Sequence, residues 1–168
     1  MKGNEINVDK KETIIKNWFN MWLLGTCEGI EDIFSRNAVY IESWGPRYEG
    51  LPRIKHWFKE WNTRGKVKTW DIKQFFHKED QTIVEWYFAD AMNTGKEEKF
   101  DGISLIVWQD GKIAYLKEFG CNIDHYDPYE FGNEPVFRKE TSNWFYAYLK
   151  NLFHRSEDNK VKSNKVKS

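Results

Sequence analysis

A chain of 168 residues with 40% hydrophobic and 31% charged residues is the size of one compact domain and long enough to bury a sizeable core. Lys plus Arg equals Asp plus Glu at 26 each, which removes the global basic footprint of a nucleic-acid or anionic-membrane binder. No signal peptide opens the chain and no apolar run is long enough to span a bilayer, so a cytoplasmic setting is expected.

From about Lys10 to Leu24, the residues Ile14, Ile15, Trp18, Phe19 and Trp22 recur at helical spacing. They predict an amphipathic helix, with Asp9 and Glu12 placed to cap its start and Gly25 to end it. A shorter helix is expected over Cys27 to Phe34. A β-rich run from Ala38 to Trp44 follows, broken by Gly45, Pro46 and Gly50. Pro52 suits the first turn of a third helix from Leu51 to Gly65, in which Ile54, Trp57, Phe58 and Trp61 make one face almost wholly aromatic. Four strands are then predicted, over Val67–Phe76, Thr82–Met92, Lys99–Trp108 and Lys112–Ile123, as an antiparallel meander. Asp110-Gly111 is a two-residue hairpin signal because both turn positions need positive φ; Asn93-Thr94-Gly95 is a weaker one.

Past Tyr129 the chain meets Gly132 and Pro135, and the stripe Trp144, Phe145, Tyr148, Leu149, Leu152 suggests a helix over Ser142 to Phe153. The sequence closes on NKVKS written twice, a polar segment expected to stay disordered. Six Lys/Arg against two Asp/Glu from Lys150 onward make this end basic and leave the body mildly acidic. The expected layout is a folded domain over 1–129, a helical extension over 130–155 and a basic tail over 156–168.

Nine Trp are the compositional outlier. An indole buries well but needs a partner for its N–H, so a surplus of Trp points to pockets or interfaces as well as core. Cys27 and Cys121 lack metal-type spacing and are read as free, buried thiols. The four His are scattered, no HExxH occurs, and phosphate-binding glycine loops and nucleophile motifs are missing, so neither a metal nor another cofactor is expected.

The strings AVYIESWGPRYEG, IVEWYFADAM, FDGISLIVWQDGKI and LKEF followed by HYDPY resemble the SnoaL-like branch of the nuclear transport factor 2-like superfamily, a bacterial subgroup, over roughly Lys10 to Tyr129. The resemblance implies an α+β fold: a strongly curved, mostly antiparallel sheet wrapped around three N-terminal helices as a cone-shaped barrel. That superfamily hosts isomerases, cyclases, dehydratases and binding modules, so fold does not settle function. Position by position, the general base of ketosteroid isomerase, a worked case of pKa tuning, falls at Glu42. Its protonated Asp falls at Ser104, and its Tyr falls in the Trp18 to Trp22 stretch, where this chain has none. Ketosteroid isomerisation itself is therefore disfavoured.

Alternation puts Leu116, Glu118 and Gly120 on one face of the last strand, and the resemblance turns that face toward the cavity. Glu42 and Glu118 are thus the candidate catalytic pair, whose pKa values burial would raise. Each could equally be satisfied by an indole N–H or a tyrosine hydroxyl and merely organise the core. Trp86 and Phe88 face inward with Val84, which sends Glu85 outward to meet a Lys or Arg. Ser104 is the candidate pocket hydroxyl, and Asp101 belongs to the surface. Tyr40, Trp44, Trp57 and Trp61 complete an aromatic wall, and His125 stands at its rim. Expected partners are a small hydrophobic or aromatic molecule and a second copy through the outer sheet face, with neither nucleic acid nor membrane. Three functions follow: a small-molecule-binding domain, an enzyme abstracting a proton from a small carbonyl or polycyclic compound with Glu42 as base, and a homodimeric interaction domain.

Overall fold

A computed structural model describes residues 7–137. They belong to two compact units that divide between His125 and Tyr126. The helix expected over Ser142–Phe153 and the NKVKS repeat lie outside the described residues.

In the first unit, helix α1 (Val8–Leu24) is capped by Asn7, whose side chain accepts the Asp9 backbone N–H at 2.9 Å. Asp9, expected to be the cap, instead sits in the first turn, where its charge meets the positive end of the helix dipole. Gly25 closes the helix with φ 69°, a left-handed conformation that costs glycine little. Helix α2 is a single turn, Ile30–Ile33. Phe34, expected to be helical, already belongs to strand β1 (Phe34–Ile41), because the chain there pairs in parallel with the last strand. Sheet pairing overrides local periodicity at this point.

Strand β1 also ends three residues before the expected Trp44. The Glu42 N–H reaches Pro46 O at 2.9 Å and the Gly45 N–H reaches Glu42 O at 3.0 Å. This turn folds the chain into β2 (Arg47–Glu49), a strand hidden within the Gly/Pro break and paired antiparallel with β1. Helix α3 (Leu51–Arg64) follows, with proline in its first turn.

The meander is β3 (Gly65–Lys78), β4 (Gln81–Met92), β5 (Glu97–Gln109) and β6 (Lys112–Asn122). With β1 beside β6, the order across the six-stranded sheet is β2-β1-β6-β5-β4-β3. Asp110 and Gly111 both have positive φ, 50° and 79°, as a hairpin with matching twist requires. Irregular pairing between β3 and β4, at Val67/Thr69 and Ile72/Gln74, bends the sheet around the helices. Its inner face carries Trp70, Val84, Trp86, Ile106 and Leu116 against Ile15, Trp18, Trp22 and Phe58 of α1 and α3. Gly102 makes room for this packing: a Cβ there would lie 2.3 Å from the Trp86 ring. Among the described residues no helix is long and apolar enough to cross a membrane.

The second unit, as far as it is described, lacks helix and strand. Asp127 Oδ1 accepts the Tyr129 N–H at 2.8 Å, and the Val136 N–H reaches Pro128 O at 2.7 Å.

Candidate functional site

The parallel pairing of β1 with β6 sets Tyr40 level with Leu116, two residues before Glu118. From there the Tyr40 hydroxyl donates to Glu118 Oε1. Tyr40 is fully buried and Glu118 is 9% exposed. Burial pushes Glu118 up to about 8; the Tyr40 hydroxyl and the Ser43 backbone N–H pull the other way, and the negative charge of Glu42 adds to the rise. The Tyr40 phenol is held well above its usual range by burial first, then by the charge of Glu118.

Glu42 stands in the turn after β1, half-buried, and accepts from the Tyr48 hydroxyl at 2.5 Å and from Trp44 Nε1 at 3.1 Å. Burial raises its pKa, opposed by those two donors and by the charge of Arg64. Each of the two carboxylates thus receives a tyrosine hydroxyl, and the charge of Glu42 is felt at Glu118. Near neutral pH the raised value favours a protonated Glu118, a proton donor close enough to Glu42 to feel its charge.

Rings enclose the pair. Trp57 lies parallel to Tyr48 at 4.6 Å and tilted against Tyr40 at 4.8 Å, and Trp18 meets Tyr40 edge-on at 5.9 Å. Trp18 Nε1, buried beside Tyr40, makes no hydrogen bond of good geometry among the described residues. An open depression of about 410 Å³ borders Tyr48, lined also by Arg47, Glu49 and Arg53.

The other expected residues fall into three places. Trp86 and Ser104 are buried against each other, with Trp86 Nε1 donating to Ser104 Oγ at 2.9 Å, and Ser104 is the pairing partner of Glu118. Phe88 lies further along β4 against Trp70, and half-buried Trp61 meets Trp22 edge-on at 5.3 Å. Trp44 is 58% exposed and His125 is exposed too, so neither belongs to the enclosed wall. Glu85 faces outward, but its partner is the Gln74 amide rather than a Lys or Arg, because Gln74 is the residue directly across the β3–β4 ladder. Asp101 pairs on the surface with Lys73 at 2.7 Å. Both cysteines are free, but Cys121 is exposed and not buried, being near the end of β6 beyond the covered part of the sheet.

Sequence reasoning missed two residues. Tyr48 escaped because β2 looked like part of a Gly/Pro break. Asp90 was available from the parity of Val84, Trp86 and Phe88, which continues inward to it.

A sequence profile described as SnoaL-like domain matches residues 15–116. No curated protein matches the chain. Among solved structures, a protein of ketosteroid isomerase-like fold from Catenulispora acidiphila, in complex with trimethylamine, is 13% identical, with a TM-score of 0.58, over 66% of this chain and 85% of that one. A LEH-like epoxide hydrolase from M. tuberculosis is 12% identical, with a TM-score of 0.60, over 67% and 84%. An NTF2-like protein from Burkholderia xenovorans is 10% identical, with a TM-score of 0.59, over 70% and 93%. At these identities the likeness is one of fold.

Proposed function

The chain belongs to the SnoaL-like domain family, and on that premise we propose that it binds a small, largely apolar molecule whose polar end meets Glu42, Glu118 and Tyr40. The observation that carries this reading is the pair of part-desolvated carboxylates within a shell of rings, one of them raised to about 8 in part by the charge of the other. Purely structural carboxylates are ordinarily neutralised by a cation, and here the donors are tyrosines and an indole. Trp57, packed over both tyrosines, supplies an apolar wall for the ligand body.

The same pair supports chemistry as a second reading. On a ligand with a C–H next to a carbonyl, Glu42 takes the proton as that C–H bond breaks. The electron pair moves onto the carbonyl oxygen, which receives a hydrogen bond or a proton from Glu118. Where a C=C stands β,γ to that carbonyl, returning the proton from Glu42 to the γ carbon as the C=O re-forms, with any proton on its oxygen going back to Glu118, completes an isomerisation with nothing else consumed. A tyrosine beside a neutral carboxylic acid is also the donor pairing of ketosteroid isomerase, here drawn from β1 and β6 instead of from the positions matched by sequence. The reading includes a cytoplasmic homodimer through the outer sheet face, where half-buried Ile83, Ile103, Leu105 and Val107 point away from the core; sedimentation checks that part.

The test of binding is a titration of apolar ketones and aromatic alcohols against Trp emission. Saturable quenching, weakened at least tenfold in Glu118→Gln and Tyr40→Phe, is expected, and a hit unaffected by both substitutions refutes the site. For each ketone that binds, exchange of its α-hydrogens in D2O separates the readings: exchange lost in Glu42→Gln supports catalysis, whereas binding without exchange leaves a binding module.

A further inference from the structure

We infer that Asp90 anchors a second ligand subsite on the inner face of the sheet, which takes the ammonium end of a small amine that also carries a hydroxyl or carbonyl oxygen. It stands on residues separate from Glu42 and Glu118. Glu118 is level with Ser104, and Ser104 with Val84 on β4, whereas Asp90 comes six residues later, roughly 20 Å along an extended strand.

Among the described residues, three buried polar atoms at this end lack partners. Asp90 is 5% exposed and its Oδ1 accepts no hydrogen bond; Trp70 and Trp22 are 7% and 3% exposed and their Nε1 groups donate none. They share one neighbourhood. Trp70 packs on Phe88 at 5.2 Å and Trp22 on Trp70 at 6.2 Å, and Asp90 is the next inward position after Phe88. Each such atom is costly to leave unmatched, and a native protein holds few of them. The unmet needs are also complementary: a carboxylate oxygen lacks a donor, and two indoles lack an acceptor. An amine with an oxygen a few bonds away answers both.

Charge selects the cation. The neighbours of Asp90 on β5 and its turn are Glu98, Lys96 and Glu97, and Lys96 is already held by Glu98, while Val67 stands opposite on β3. The local excess is therefore negative. Phe88, Phe100 and Trp70, with ring separations of 5.0 Å and 5.2 Å, offer π faces to an alkylammonium. Burial, with the charge of Glu98, lifts Asp90 to about 6. It is ionised at neutral pH only at some cost, which a bound cation would offset.

The probe is 2-amino-1-phenylethanol, with 1-phenylpropan-1-ol as its uncharged isostere, titrated while the indole N–H resonances of the full chain are followed. The amine should shift the Trp70 and Trp22 signals saturably, and the isostere should bind at least tenfold more weakly. Affinity for the amine should rise as pH increases through about 6, where Asp90 loses its proton. Asp90→Asn should cut affinity at least tenfold and flatten that pH profile. Unmoved indole signals, equal binding of the isostere, or a pH profile that persists in Asp90→Asn would overturn the proposal. The isostere and the wild-type pH profile decide it even if the variant folds poorly. The indole signals of Trp70 and Trp22 report on the Asp90 end and not on Glu42 and Glu118, so the two readings fail separately.

Discussion

Around Thr82, every polar group in the wall of the sheet finds its complement. Trp108 Nε1 donates to Thr82 Oγ1 at 2.9 Å, that oxygen lies 3.0 Å from His77 Nδ1, and His77 Nε2 reaches Glu12 at 3.4 Å. Glu12 also meets Lys16 at 3.0 Å, and the buried Lys11 ammonium donates to Glu79 O at 2.6 Å. Around Glu118 the composition is reversed: two carboxylates, two phenols and an indole, with the charge of Arg64 opposing Glu42. One cluster ties α1 to the β3–β4 hairpin; the other holds charge that the fold does not neutralise. Buried polarity is thus structural where donors match acceptors, and a candidate for function where like groups are forced together.

The contrast is tested most strongly by pH. Because the folded-state pKa of Glu118 is raised from 4.5 to about 8, the folded protein keeps a proton that the unfolded chain has released. Stability is therefore full below about pH 4.5 and declines as pH rises toward 8. Urea unfolding at a series of pH values should show a loss on the order of 3 kcal/mol between about pH 5 and about pH 9. Glu118→Gln should remove most of that slope. A wild-type profile flat over this range would place Glu118 in the matched class after all.

Thr82→Val is the counterpart. It keeps the shape but leaves the Trp108 N–H buried without an acceptor and His77 short of one partner. The expected cost is about 2 kcal/mol in urea unfolding, with no change across pH 6 to 9. A smaller effect belongs to Tyr40→Phe. Removing the hydroxyl should cost about 1 kcal/mol and, because that donor holds the Glu118 pKa down, move the pH midpoint higher. A midpoint that moves lower would mean that Tyr40 does not donate to the carboxylate.

The sequence displayed the matched cluster poorly and the unmatched one fairly well. The Glu12–His77–Thr82 chain joins residues far apart that no local pattern connects, whereas strand parity together with the family resemblance turned Glu118 inward. The meander and both long helices were legible because their periodicity persists over many residues. The errors cluster at Phe34 and at Glu42–Glu49, where a one-turn helix meets a parallel pairing and a three-residue strand hides between Gly45 and Gly50. At such places pairing partners from the far end of the chain decide the structure, and a local reading has no access to them. The fate of the aromatic stripe on α3 was equally hidden: Trp57 closes over both tyrosines, while Trp61 turns toward Trp22.

The smallest effect discriminates by its sign. Glu12 is stabilised as the anion, chiefly by the Lys16 hydrogen bond and further by His77, so its pKa is lowered from 4.5. The folded state then binds this proton less readily than the unfolded chain, and the contribution of Glu12 is present above about pH 4.5 and lost as pH falls through the lowered value. The pair is solvent-accessible, so Glu12→Gln should cost under about 0.5 kcal/mol at neutral pH and less in high salt. Glu12 thus steepens the acid limb of the stability curve, where Glu118 steepens the alkaline one. In the double variant both limbs should flatten independently, since the two groups share no hydrogen-bond partner. Coupling between the limbs, seen as a double-variant profile that is not the sum of the singles, would show that the matched and unmatched clusters are one network through Thr82, Val84 and Ser104.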